Sequence, residues 1–135
     1  EYLEAYYNKG NALSDLNKKT EAIECFDKAI EINAKDSYAY YKKGNILSSI
    51  NRKTEAIECF DKAIEIDPEY SDAFNSKGNA LLDLKKIDES IECFNRAIEI
   101  KPEFSYAFYN KGNALSILDK KAEAIECYNN AIKNN

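Results

Sequence analysis

Histidine, tryptophan and methionine are absent from this sequence, and glycine and proline occur only four times and twice. Each scarcity excludes something. Without histidine the chain lacks the commonest general base, the commonest metal ligand and the usual partner of a catalytic serine or cysteine. No run approaches the roughly 20 apolar residues that cross a bilayer, so a membrane is not an expected partner. No basic segment leads into an apolar core at the start, as a signal peptide would require. A basic stripe is missing too. The net charge is −5 with lysine and glutamate interspersed, which argues against a nucleic-acid footprint. No glycine-rich phosphate loop is present and no serine has a base nearby. The expected class is therefore a non-enzyme with no cofactor and no metal site. The missing Met at position 1 is expected of a segment from a longer protein.

What is present is a period. Gly10, Gly44, Gly78 and Gly112 are spaced 34 residues apart, and Cys25, Cys59, Cys93 and Cys127 keep the same step. Lys19 to Ile32 recurs unchanged as Lys53 to Ile66. Units begin at Leu3, Ser37, Ser71 and Ser105, giving repeats 3–36, 37–70, 71–104 and 105–135 within a single domain, 1–135. Each unit reads as a helix A, a short polar turn and a helix B. The turns are Asn17-Lys18, Asn51-Arg52, Lys85-Lys86 and Asp119-Lys120. Pro68 and Pro102 stop the second and third B helices, because proline cannot continue one.

An aromatic stands four places into each unit (Tyr6, Tyr40, Phe74, Phe108), followed by the glycine and then Leu13, Leu47, Leu81 and Leu115. Helix B carries a small residue (Ala22, Ala56, Ser90, Ala124), an aromatic (Phe26, Phe60, Phe94, Tyr128) and an alanine (Ala29, Ala63, Ala97, Ala131). Glycine inside a helix costs about 1 kcal/mol relative to alanine. Repeating that cost asks for a packing reason, and the expected one is a glycine facing a helix B alanine so that two backbones approach, with the aromatic rings filling the space beside them. Over its whole length this pattern resembles the tetratricopeptide repeat family. That resemblance implies an all-α solenoid of four antiparallel helix-turn-helix repeats, a right-handed superhelix with helix A lining a concave groove. It also implies a protein- or peptide-binding scaffold. The family often has an aliphatic residue before the glycine. Here it is Lys9, Lys43, Lys77 and Lys111, whose stems are expected along the core edge with the ammonium groups in water.

On a helical wheel the residue after each glycine falls opposite the core: Asn11, Asn45, Asn79 and Asn113. Four residues earlier on the same stripe stand Tyr7, Tyr41, Asn75 and Tyr109, and three before those Glu4, Tyr38, Asp72 and Tyr106. Amides both donate to and accept from a peptide backbone, and tyrosine rings give contact area at small entropy cost. Tyr7, Asn11, Tyr38, Tyr41, Asn45, Asn75, Asn79, Tyr106, Tyr109 and Asn113 are therefore the candidate ligand wall. The competing expectation is that the asparagines bond only to neighbouring helices. Family members that clamp a C-terminal carboxylate use Lys, Asn and Arg at set positions. The matching residues, Tyr7, Asn11, Lys42, Asp72 and Ser76 or Tyr41, Asn45, Ser76, Tyr106 and Asn110, keep only the asparagine after the glycine. A less acidic ligand is expected.

The cysteines lie one repeat apart, too far for the roughly 6.8 Å Cα separation of a disulfide, and their spacing fits no zinc pattern. They read as half-buried structural thiols in a reducing, cytoplasmic compartment. Acidic pairs such as Glu24 with Asp27 and Glu58 with Asp61 read as a solvated mixed-charge face. A second expectation is head-to-tail self-association, with Ile125 and Ile132 of an uncapped last helix stacking on the first helix of another copy.

Overall fold

In the computed structural model, residues 2–135 are described, and they form eight α-helices and no strand. These are α1 (Leu3–Asp15), α2 (Lys19–Ile32), α3 (Ser37–Ser49), α4 (Lys53–Ile66), α5 (Ser71–Asp83), α6 (Ile87–Ile100), α7 (Ser105–Ile117) and α8 (Lys121–Lys133). The chain divides into two compact units, Glu1–Pro68 with α1 to α4 and Glu69–Asn135 with α5 to α8. The four expected repeat starts are the first residues of α1, α3, α5 and α7.

Each helix A ends the same way. Asn17, Asn51, Lys85 and Asp119 take left-handed backbone, with φ of 60°, 64°, 64° and 58°. In the first repeat the Asn17 N–H reaches the Ser14 carbonyl at 3.0 Å and the Lys18 N–H reaches Leu13 at 2.8 Å. The other three repeats form the same two bonds, Lys86 to Leu81 at 2.9 Å among them. This is a Schellman closure, which satisfies orphan carbonyls and reverses the chain within three residues. Asparagine tolerates the left-handed region; lysine does so at a cost. Lys85→Gly is therefore expected to stabilise unit 2 by about 1 kcal/mol, read as a higher urea midpoint at an unchanged slope. An unchanged midpoint would mean that the turn carries no strain.

The core of each repeat is one ring set against one glycine. Phe26, Phe60 and Phe94 are fully buried, together with the alanines three residues on, Ala29, Ala63 and Ala97. A Cβ placed on Gly10, Gly44, Gly78 or Gly112 would meet Phe26, Phe60, Phe94 or Tyr128 at 2.8, 2.6, 2.5 and 2.6 Å. What lies nearest each glycine is thus the helix B aromatic, which the sequence reading set beside the contact with the alanine at its centre.

Between consecutive repeats the contacts are small and apolar. In unit 2, Ala97, Phe104 and Ala107 form a cluster joined by Phe74 and Ile98, and Ile91 packs on Leu115, Ala124 and Cys127. In unit 1 the lysine before the glycine finds an acid on the preceding helix, Lys43 Nζ to Asp27 Oδ1 at 2.6 Å. The outer faces carry exposed pairs three residues apart, Lys28 with Glu31, Lys62 with Glu65 and Arg96 with Glu99, each at 2.7 Å. Such exposed pairs add little to stability, since solvent screens them, and they serve to keep the faces polar.

Candidate functional site

Unit 1 brings Tyr7, Asn11 and Tyr38 together. Tyr7 on α1 is half buried, its ring stacked at 6.5 Å on Phe26 and edge-on at 5.1 Å to Tyr38 of α3. Asn11 Nδ2 donates to the Tyr38 hydroxyl at 3.3 Å, while Asn11 Oδ1 is buried with no partner. The Tyr7 hydroxyl donates to Asp36 Oδ2. Asp36, itself buried, caps α3 by accepting the Ala39 N–H at 3.2 Å. Tyr41 lies over Phe60 at 6.3 Å within its own repeat, and Asn45 is half buried on the same helix.

Burial, the hydrogen bond to Asp36 and that carboxylate's negative charge all hold the Tyr7 hydroxyl well above the ordinary tyrosine range. A pKa raised in the folded state means the unfolded chain ionises first. The stability of this bond is complete below the ordinary tyrosine value of about 10 and is lost as pH rises past it. Tyr7→Phe is expected to cost about 1 kcal/mol at pH 7, with the gap to wild type closing above pH 10. Urea midpoints for both chains at the two pH values check this, and a constant gap would refute it.

Unit 2 contains a cleft of about 660 Å³ lined by Asn75, Asn79, Ser105, Tyr106, Tyr109 and Asn110 from the A helices and by Tyr128, Ala131, Ile132 and Asn135 from α8 and the residues after it. Four of the expected wall residues, Asn75, Asn79, Tyr106 and Tyr109, therefore share one concavity. Tyr106 is 69% and Tyr109 53% exposed, so both rings are open to a ligand. Asn110 Nδ2 donates to Asn75 Oδ1 at 3.0 Å, tying α7 to α5. Asn113 is not part of the lining; its Oδ1 accepts the Tyr128 hydroxyl at 2.9 Å. This is a bond to the neighbouring helix of the kind the competing expectation describes.

Asn110 and Tyr128 were not placed in the ligand wall from the sequence, although each left a signal. Asn110 follows Tyr106 by four residues and so shares its stripe. Tyr128 is the one helix B ring with a hydroxyl, where the other repeats have phenylalanine.

The cysteines are more deeply buried than expected, and no disulfide joins them. Burial pushes the Cys59 thiol up to about 11, partly offset by Lys43, the opposite of an activated nucleophile. Among the described residues no three His, Cys, Asp or Glu gather as a metal site, and no helix is long and apolar enough to cross a membrane.

A family profile described as Tetratricopeptide repeat matches residues 3–36, 37–70 and 71–104, and a second of the same description matches 93–126. No curated protein sequence matches the chain. Among solved structures, a crystal structure of MamA is 26% identical with a TM-score of 0.90, covering 98% of this chain and 77% of that one. MamA 41-end from Desulfovibrio magneticus RS-1 is 23% identical with a TM-score of 0.87, covering 98% and 75%. The first TPR of Spaghetti (RPAP3) bound to HSP90 peptide SRMEEVD is 20% identical with a TM-score of 0.83, covering 87% and 93%.

Proposed function

Because the chain belongs to the tetratricopeptide repeat family, we propose that it is a non-enzymatic binding module that holds a protein or an extended peptide against its helix A faces. The observation that carries this is the unit 2 cleft, where exposed Tyr106 and Tyr109 stand beside Asn75 and Asn79. Two flat rings with an amide floor suit a peptide main chain whose apolar side chains lodge between the rings. In unit 1 the unpartnered Asn11 Oδ1 beside Tyr38 supports the same reading, as an acceptor for a peptide N–H. Tyr41, Asn45 and Asn113 are lesser members of the wall. They lie on the same stripe, but the Tyr41 ring leans on Phe60 and Asn113 is engaged by Tyr128.

A related fold holds the acidic peptide SRMEEVD, but the lysine and arginine positions of a carboxylate clamp are not kept here. The preferred ligand is neutral or mildly apolar, and the compartment reducing and cytoplasmic, in keeping with four buried thiols.

The test uses paired baits, the wild-type chain and Tyr106→Ala/Tyr109→Ala, against lysate of the source cell. These two rings are preferred to Tyr7, whose hydroxyl also holds Asp36 and whose loss would confuse binding with folding. A polypeptide partner held by the wild type is expected to bind the double variant at least about tenfold more weakly. Equal capture by both baits would refute the helix A reading.

A further inference from the structure

We infer that unit 1 carries a second ligand site, between the α2–α3 turn and the last turns of α4, for a small anion with an apolar body. The chemical class is a single aromatic ring bearing a phosphate or a carboxylate. The inference goes beyond the binding reading above and shares no residue with it.

A cavity of about 390 Å³ lies there, lined by Ala34, Lys35, Tyr40, Lys62, Glu65 and Ile66. That volume is at the small end of ligand pockets and suits one ring with its substituent. Half-buried Tyr40 and Ile66 supply apolar surface together with Ala34. All six residues lie in the interior of the sequence, so neither terminus lines the cavity.

The polar groups of the lining are two ammonium groups, a phenol and one carboxylate. The carboxylate is already engaged, with Glu65 Oε2 at 2.7 Å from Lys62 Nζ. The Lys62 ammonium is held above the ordinary lysine range by its bond to Glu65, by that carboxylate's charge and, more weakly, by the nearby Tyr40 phenol. Among the described residues Lys35 forms no ion pair and the Tyr40 hydroxyl no hydrogen bond. The cavity therefore sums to one positive charge, two lysines less one glutamate, with the Lys35 ammonium and the phenol as unspent donors. An anion satisfies both, whereas a cation would meet Lys35 unopposed.

The later junctions between repeats do not offer this set. Repeat 2 is entered through Ala34 and Lys35 and carries Tyr40. Repeat 3 has Pro68, Glu69 and Phe74 at those places, and repeat 4 has Pro102, Glu103 and Phe108. A carboxylate thus replaces the free ammonium there, and a bare ring replaces the phenol. Lys62 and Glu65, by contrast, have like-charged counterparts in Arg96 and Glu99. What sets repeat 2 apart at this place is what an anion would use.

The test is titration of the whole chain with phenyl phosphate at low ionic strength, followed by backbone amide NMR. Shifts are expected at residues 34–40 and 62–66, with a Kd on the order of 1 mM for so small a ligand. Lys35→Glu and Tyr40→Phe give repeat 2 the residues of repeats 3 and 4, so both variants should keep the helicity of the wild type. Lys35→Glu should bind at least about tenfold more weakly, because a charge is reversed. Tyr40→Phe should lose about threefold to tenfold, from a missing bond to a charged group. Glu65→Gln should bind about threefold more tightly, since it removes the one carboxylate and frees Lys62; a damaged fold could not produce that gain. Benzyl alcohol has the ring without the charge, and inorganic phosphate the charge without the ring. Each should bind at least about tenfold more weakly than phenyl phosphate. Absence of shifts at these residues, undiminished binding by Lys35→Glu, or equal binding of benzyl alcohol would overturn the inference. Equal binding of inorganic phosphate would do the same, because the apolar lining would then contribute nothing.

Discussion

Replacing Phe94 by Ala is expected to cost about 3–5 kcal/mol, the range for removing a buried ring, and to reverse the sign of a second substitution sixteen residues away. In the wild type, Gly78→Ala puts a Cβ 2.5 Å from Phe94 Cε1 and 2.8 Å from Cδ1. The ring has no exposed edge toward which to move, so α5 must shift instead, at about 1–3 kcal/mol. That outweighs the gain of about 1 kcal/mol that alanine brings to a helix interior. Once the ring is gone the collision goes with it, and Gly78→Ala should then stabilise by about that gain. A double-mutant cycle in urea, followed by helicity, reads the coupling directly. If Gly78→Ala costs the same in both backgrounds, the glycine is not there for the ring. At Gly112 the same change should be milder, because Tyr128 is only half buried and can yield.

Asp36→Ala is expected to cost about 2–4 kcal/mol in unit 1, the sum of a lost helix cap and a lost bond from the Tyr7 hydroxyl to a carboxylate. Asp36 Oδ1 takes the Ala39 N–H and Oδ2 takes Tyr7, so one buried side chain starts α3 and ties it to α1. Asp36→Asn keeps an oxygen for the cap and should recover about half of the loss. Denaturation midpoints measure the total. Hydrogen exchange locates it, with the amides of α1 expected to lose protection along with those at the start of α3. Loss confined to the first turn of α3 would show that the Tyr7 bond contributes nothing.

Asp36 also marks how far the sequence could be read. The period of 34 and the polar turn residues located every helix A start, because those features depend on neighbours along the chain. The stripe of Tyr and Asn was likewise visible from helical spacing, and in unit 2 four of its members do line one cleft. What spacing could not supply is what each face meets. A wheel places Gly44 toward helix B but does not say whether Phe60 or Ala63 fills the space. It places Tyr7 outward and gives no hint that its hydroxyl is taken by a residue 29 positions on. For Asn113 spacing left both a wall role and a bond to a neighbouring helix open, and gave no hint that the hydroxyl of Tyr128 reaches it. What spacing left out in each case is a partner on another helix, where geometry in three dimensions decides.

The fourteen residues of α2 and α4 are the same, which bears on how the chain reaches its fold. For α1 the two are chemically interchangeable partners, since either would offer the same phenylalanine to Gly10. Only connection distinguishes them. A three-residue reversal closes α1 onto α2 at small entropic cost, whereas reaching α4 requires a far longer loop. That discrimination acts only within one molecule. In a crowded refolding mixture an α4 from a neighbouring chain competes for α1 on nearly equal terms, and exchanged pairings become kinetic traps. Recovery of native monomer from denaturant should therefore fall as refolding concentration rises, and marking one copy of the shared helix with a few neutral substitutions should restore it.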